Sequence, residues 1–253
     1  MFIKLVSWNP LAIAGIRSFF SALVIWTVFG RKSVNFSRPQ LIGALGYAGM
    51  VTLLVVSTKL TTAANAIFLQ YTAPVYVALL SYVILKEKIS RGDWWMMGLV
   101  FCGMILFFMD DFSWGSLAGN LCGVGSGISF AAFAIALRLQ KGMAPEGSVL
   151  LGNLLTFLIG LPFYEAPWPD AAGWGALVLL GVFQLGFSYC FYTQAVAHVT
   201  ALEAVLIPVI EPVLNPIWVF LVLGERPGAM SLLGGAIVLV VITLRCAMKA
   251  GRR

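Results

Sequence analysis

Glu211 stands in the middle of an apolar run, Leu202 to Glu225, directly before Pro212. If that run crosses a bilayer, a charge there costs roughly 2.5–3.5 kcal/mol, so the residue needs a reason. Two chemistries suit it. It could take up and release a proton, or it could hold the ammonium group of a solute. The bland alternative is a carboxyl that stays neutral, or that faces a polar pocket beside a bent helix. Arg17, deep inside another apolar run, suits a solute carboxylate; its alternative is a structural pairing with an acid, a helix end or backbone carbonyls. Gln70, Tyr71, Gln184, Tyr189 and Asn215 lie at mid-depth of their runs, together with Asn153, Tyr192 and Gln194. Such groups line a cavity or serve as hydrogen-bonding glue between helices. Asn215 falls one helical turn beyond Glu211, on the same face.

The run that carries Glu211 has an unusual backbone. Pro208, Pro212 and Pro216 recur at every fourth residue and share a helical face. Each removes a backbone donor and bends or breaks the helix. The run also has an echo. Thr62–Glu87 aligns without a gap to Thr200–Glu225, with seven of 26 positions identical, including Pro74 over Pro212 and Glu87 over Glu225. Paired, interrupted apolar segments in corresponding places are a pointer to the binding site of a membrane transporter. Ala73 occupies the place of Glu211 in the first copy, so the acid is no requirement of the repeated unit. Glu87 and Glu225 recur at the same position and read as structural acids.

The chain as a whole must supply the bilayer-crossing frame. Of its 253 residues, 60% are hydrophobic and 10% charged, against about 25% charged in a soluble domain. Nine spans can be counted: 10–29, 41–57, 63–85, 94–109, 117–137, 149–164, 174–196, 202–223 and 230–246. The expectation is an all-α polytopic membrane protein in contact with lipid on all sides. Twelve of the 16 basic residues gather at one set of span ends: Arg31, Lys32, Arg38, Lys86, Lys88, Arg91, Arg138, Lys141, Arg245, Lys249, Arg252 and Arg253. Positive charge marks the cytoplasmic side, which puts the C-terminus in the cytoplasm. The same bias, rather than nucleic-acid binding, accounts for the net charge of +6.

With sides assigned, the Glu87 end of its span is cytoplasmic and the Glu225 end is external. The two copies therefore run in opposite directions. Two inverted repeats follow, 1–111 and 112–253, with four of five helices in the first and five in the second. MFIKLVSW, before Asn9-Pro10, reads as the tail of a missing leading helix. Gly119, Gly123, Gly127 and Ala131 form a small-residue stripe at i+4 spacing, suited to close packing within the bundle or across a homodimer face. Cys102, Cys122, Cys190 and Cys246 show no metal-ligand spacing and read as small packing residues. One histidine leaves no multi-histidine metal site. Neither a cofactor motif nor a catalytic set is legible, so an enzyme is not expected.

Two inverted five-helix halves, a P-x(12)-E span in each, and the run EPVLNPIWVFLVLGE resemble the EamA-type carriers of the drug/metabolite transporter superfamily. NPLAIAGIRSFFSALVI, Asn9 to Ile25, resembles that family's second helix, including its arginine at Arg17. The resemblance implies ten helices and a small organic metabolite, amino-acid-like or drug-like, bound in a cavity between the halves. It further implies a secondary-active permease of the plasma or inner membrane, exporting its solute by alternating access, with a coupled proton open. The absent first helix points to a misplaced start or a truncation. The alternatives are a non-transporting truncated product and a channel-like or regulatory membrane subunit.

Overall fold

The computed structural model describes residues 6–109, 116–214 and 228–250. Among them every regular element is helical, and eight helices are long and apolar enough to cross a bilayer. The expected span 202–223 is described only as far as Leu214. Asn215, Pro216 and Glu225 therefore lie outside the described residues.

Helix α1 (Pro10–Phe29) starts at Asn9, whose side chain accepts the N–H of Leu11, and Pro10 sits where a missing N–H costs nothing. It stops at Gly30, which takes φ 66°, a conformation glycine adopts without steric cost. Helix α2 (Arg38–Leu60) follows, running three residues beyond each expected end. The third span is two helices, α3 (Ala63–Gln70) and α4 (Ala73–Ile84), parted at Tyr71–Thr72. Pro74 causes the break, because it lacks the N–H that an unbroken helix would offer to the carbonyl of Gln70. Helix α5 (Arg91–Phe108) opens with a Ser90/Asp93 capping box. Then come α6 (Leu117–Leu139) and α7 (Glu146–Gly160).

The seventh span changes register midway. Helix α8 (Ala171–Leu179) passes into a π-helical stretch, Leu180–Phe187, and resumes as α9 (Ser188–Val196). The eighth opens as α10 (Ala201–Leu206), with Thr200 and Glu203 forming a capping box. It tightens to a 3-10 turn at Ile207–Val209 around Pro208 and is helical again through 210–214. Helix α11 (Ala229–Ala250) is the last.

Helix α2 packs on α6 and α7, α1 on α7 and the π-helical stretch, and α5 on α11. The two stretches of sequence thus share one interior. Small residues set the spacing, since lipid is as apolar as the bundle and only close packing favours one over the other. A side chain at Gly127 would meet the carbonyl oxygens of Gln70 and Leu69, and one at Gly123 would meet Leu69. The glycine stripe is therefore used inside the bundle, against α3. Large apolar side chains such as Leu45, Val83 and Phe191 are exposed on the outside, as expected where the solvent is lipid. Cys190 is buried and fits the packing role, but Cys102 and Cys246 are exposed. That corrects the expectation for these two, and the reason is the same: a thiol meets lipid at little cost.

Candidate functional site

Seven to ten residues of helix separate Arg17, Tyr47, Tyr71, Tyr189 and Glu211 from the nearer ends of their spans. At 1.5 Å per residue that is about 10–15 Å, close to the middle of a 30 Å hydrocarbon layer.

Tyr189 joins the two charges. Its ring lies 4.9 Å from that of Tyr47 and 5.6 Å from that of Tyr192, centroid to centroid. It stands within electrostatic range of both Arg17 and Glu211. Phe133 closes the cluster, edge-on to Tyr47 at 5.4 Å and stacked on Tyr192 at 6.1 Å. Arg17 is 2% exposed. One of its terminal nitrogens donates to Gln184 Oε1 at 3.4 Å, and its Nε has no hydrogen-bond partner among the described residues. A buried guanidinium donor left without a partner is costly. Glu211 is surrounded by protein on most sides yet keeps exposed surface. Tyr71 is also within its electrostatic range.

The π-helical stretch explains how Gln184 reaches Arg17. A side chain at Gly181 would stand 2.5 Å from the carbonyl oxygen of Arg17, so the glycine brings the two backbones together. The widened helix then offers Gln184 toward the guanidinium. Single π-helical turns recur at functional sites.

Two tyrosine hydroxyls meet the proline-interrupted backbone. Pro212 has no N–H for the carbonyl of Pro208, and Tyr71 Oη donates to that oxygen at 2.9 Å. Pro208 has none for the carbonyl of Ala204, and Tyr192 Oη donates there at 3.0 Å. Freed carbonyls at membrane depth persist where protein re-satisfies them in this way.

Ion pairs and hydrogen bonds join the helices at the basic end of the bundle. Arg138 Nε donates to Glu87 Oε1 at 2.9 Å, and an Arg138 terminal nitrogen donates to the carbonyl of Ala197 at 3.3 Å. Glu87 Oε2 accepts the N–H of Ala201 at 3.3 Å. Arg245 bonds Asp93 and lies 4.0 Å from Glu203. A neutral knot stands beside them. The amide of Gln40 donates to the carbonyls of Ser33 and Ala144 at 2.8 and 3.1 Å, and that of Gln140 donates to Ser148 Oγ at 2.8 Å. At the opposite end an open cleft of about 400 Å³ is lined by Trp8, Asn9, Lys59 and Glu165 among others.

Of the residues picked out by sequence, Arg17, Gln184, Tyr189, Tyr71 and Glu211 are brought together. Gln70 is adjacent, but its amide donates to Ser126 Oγ at 2.9 Å, and Ser126 donates to the carbonyl of Met50 at 2.8 Å. Pro74 and Pro208 stand at the helix irregularities, and Pro212 lies within 210–214. Tyr47 is the residue that sequence reasoning missed. It accompanies Tyr189, and its hydroxyl donates to Asn153 Oδ1 at 3.2 Å. Its setting between Gly46 and Ala48, at mid-span, was the available signal. Among the described residues, no cluster of His, Cys, Asp and Glu could hold a metal.

The described residues form a helical bundle with eight helices long and apolar enough to cross a bilayer, the frame of a polytopic membrane protein. The chain belongs to the EamA-like transporter family, whose model matches residues 1–109 and 117–245. It is 25% identical over 245 residues to the pseudopaline exporter CntI of Pseudomonas aeruginosa, covering 93% of this chain and 85% of that one. It is 30% identical over 205 residues to the transporter YdfC of Bacillus subtilis, covering 78% of this chain and 67% of that one. A solved crystal structure shares the fold with a TM-score of 0.80 at 17% identity, over 94% of this chain and 89% of its own. The chain is thus a multi-pass membrane transporter of a small molecule, and its relatives are transporters rather than enzymes.

Proposed function

We propose that the protein exports a small organic metabolite by alternating access, and that the solute binds between Arg17 and Glu211 across the Tyr47–Tyr189–Tyr192 cluster. The observation that carries this reading is the buried Arg17 guanidinium, whose Nε has no hydrogen-bond partner among the described residues. Arg17 holds an acidic or carbonyl group of the solute, with Gln184 steadying the guanidinium. Glu211 either carries a coupling proton or holds an ammonium group. The rings of Tyr71 and Tyr189 form the apolar wall, and Gln70 holds α3 to α6 beneath them. Export agrees with the Pseudomonas relative's being a pseudopaline exporter.

The halves are 1–111 and 112–253, inverted relative to each other. The basic end is cytoplasmic, the C-terminus with it, and the membrane is the plasma or inner membrane. Glu87 then belongs to a closed cytoplasmic gate, and the open cleft beside Trp8 and Lys59 faces outward. A homodimer gains no support from the glycine stripe, which packs within one chain. The test is a comparison of metabolites exported by cells with and without the protein, followed by reconstitution with the solute found. Saturable, counter-transport-stimulated flux is expected. Flux linear in concentration, without counter-transport, would place the protein among channels.

A further inference from the structure

We propose that Tyr71 and Tyr192 are positioning residues: their hydroxyls replace the backbone donors that Pro212 and Pro208 lack, and thereby fix where the helix holds Glu211. The register is the argument. In an α-helix the carbonyl of residue 208 awaits the N–H of residue 212, and that of residue 204 awaits the N–H of residue 208. Both of those donors are proline nitrogens. Both carbonyls instead receive a tyrosine hydroxyl, at 2.9 and 3.0 Å.

Glu211 lies between the two prolines. Its segment lacks the two ladder bonds that residues 208 and 212 would donate, and the Ile210 N–H turns to the carbonyls of Ile207 and Pro208 instead. The donors come from different elements, Tyr71 from the break between α3 and α4, and Tyr192 from α9. The Tyr71 contact is also one of the points where the two repeated segments meet. In the alignment Tyr71 corresponds to Val209 and Pro208 to Gln70, so the two helix breaks touch each other. A phenol has a single proton to donate, and a clasp of one bond can be made and broken as the helix bends. That lets the prolines act as a hinge without leaving Glu211 adrift.

The claim that Glu211 is what the clasps position rests on the proposed function, but the clasps themselves do not. Two mutant cycles separate them: Tyr71→Phe with Pro212→Ala, and Tyr192→Phe with Pro208→Ala. Alanine restores the N–H, so the hydroxyl should then matter little. In the purified protein Tyr71→Phe is expected to lower the melting temperature by about 3–6 °C, and by about 1 °C or less when combined with Pro212→Ala. The Tyr192 cycle should behave alike, and it decides the matter if Pro212→Ala does not fold. Additive melting temperatures overturn the clasp whatever the transport result. For positioning, Tyr71→Phe should move the pH of half-maximal transport by about half a unit or more, and Pro212→Ala should move it back. A lowered rate at an unmoved pH midpoint overturns the positioning role and leaves the tyrosines as structural props.

Discussion

The carboxylate of Glu87 accepts the backbone N–H of Ala201 across 3.3 Å. Glu87 is the last residue of the first repeated segment, and Ala201 lies in the first turn of the second. The end of one interrupted helix thus caps the start of the other, where the dipole favours an acid, and the two segments lie antiparallel. Arg138 holds the other carboxylate oxygen, so one acid ties α4, α6 and α10 together.

That junction should bias the protein toward the state in which the basic end is closed. The pair is partly exposed, with side chains 18% and 22% accessible, so its worth is discounted by solvent. The bond to Ala201 adds a charge-assisted contact. Glu87→Gln is expected to shift the balance of states by about 1–2 kcal/mol, a factor of roughly 5–30. Labelling of a cysteine placed at mid-depth, with reagent added from the basic side, checks this. Unchanged labelling rates would show that the junction is fastening and not gate.

Arg17 should not tolerate lysine. A guanidinium offers a planar fork of donors, and an ammonium is a point charge on a flexible stem. With the Arg17 Nε unpaired and Gln184 already on a terminal nitrogen, Arg17→Lys is expected to raise KM about 10- to 100-fold at similar expression. Loss of maximal rate at unchanged KM would assign Arg17 to the fold instead.

Gly181 is a point where α1 and the π-helical stretch touch. The obstacle to a side chain there is the backbone of Arg17, and not the flexible end of a side chain. Gly181→Ala is expected to cost about 1–3 kcal/mol through overpacking and to separate Gln184 from Arg17. Melting temperature and KM should therefore worsen together. Gly175, with nothing near it, is the control, and Gly175→Ala should be silent.

The frame and the two charges were legible in the sequence because bilayer physics is strict about both. A span needs its length in apolar residues, and a charge within it is rare enough to notice. The break at Tyr71–Thr72 and the irregular turn at Pro208 follow from proline's missing N–H. What hydropathy does not record is which face of a span meets protein, since lipid and bundle interior are equally apolar. Tyr47 was lost for that reason, and Gln70 drew attention although it bonds Ser126. The π-helical stretch has no local signature, because it arises where Gly181 lets two backbones approach. The Tyr192–Ala204 bond joins residues only 12 apart, but it needs both the turn between the spans and the gap at Pro208.

Glu211→Gln tests the central claim most directly. The substitution keeps size and hydrogen bonding while removing titration. The measurement is transport in proteoliposomes, as net flux driven by a proton gradient and as solute exchange without one. If Glu211 carries the coupling proton, driven flux fails and exchange survives. If it holds an ammonium group, both weaken together, and Glu211→Asp restores part of each. Either result agrees with a functional carboxylate at the end of the aromatic cluster. Driven flux, exchange and expression all equal to wild type would contradict it and leave Glu211 a neutral residue beside a bend.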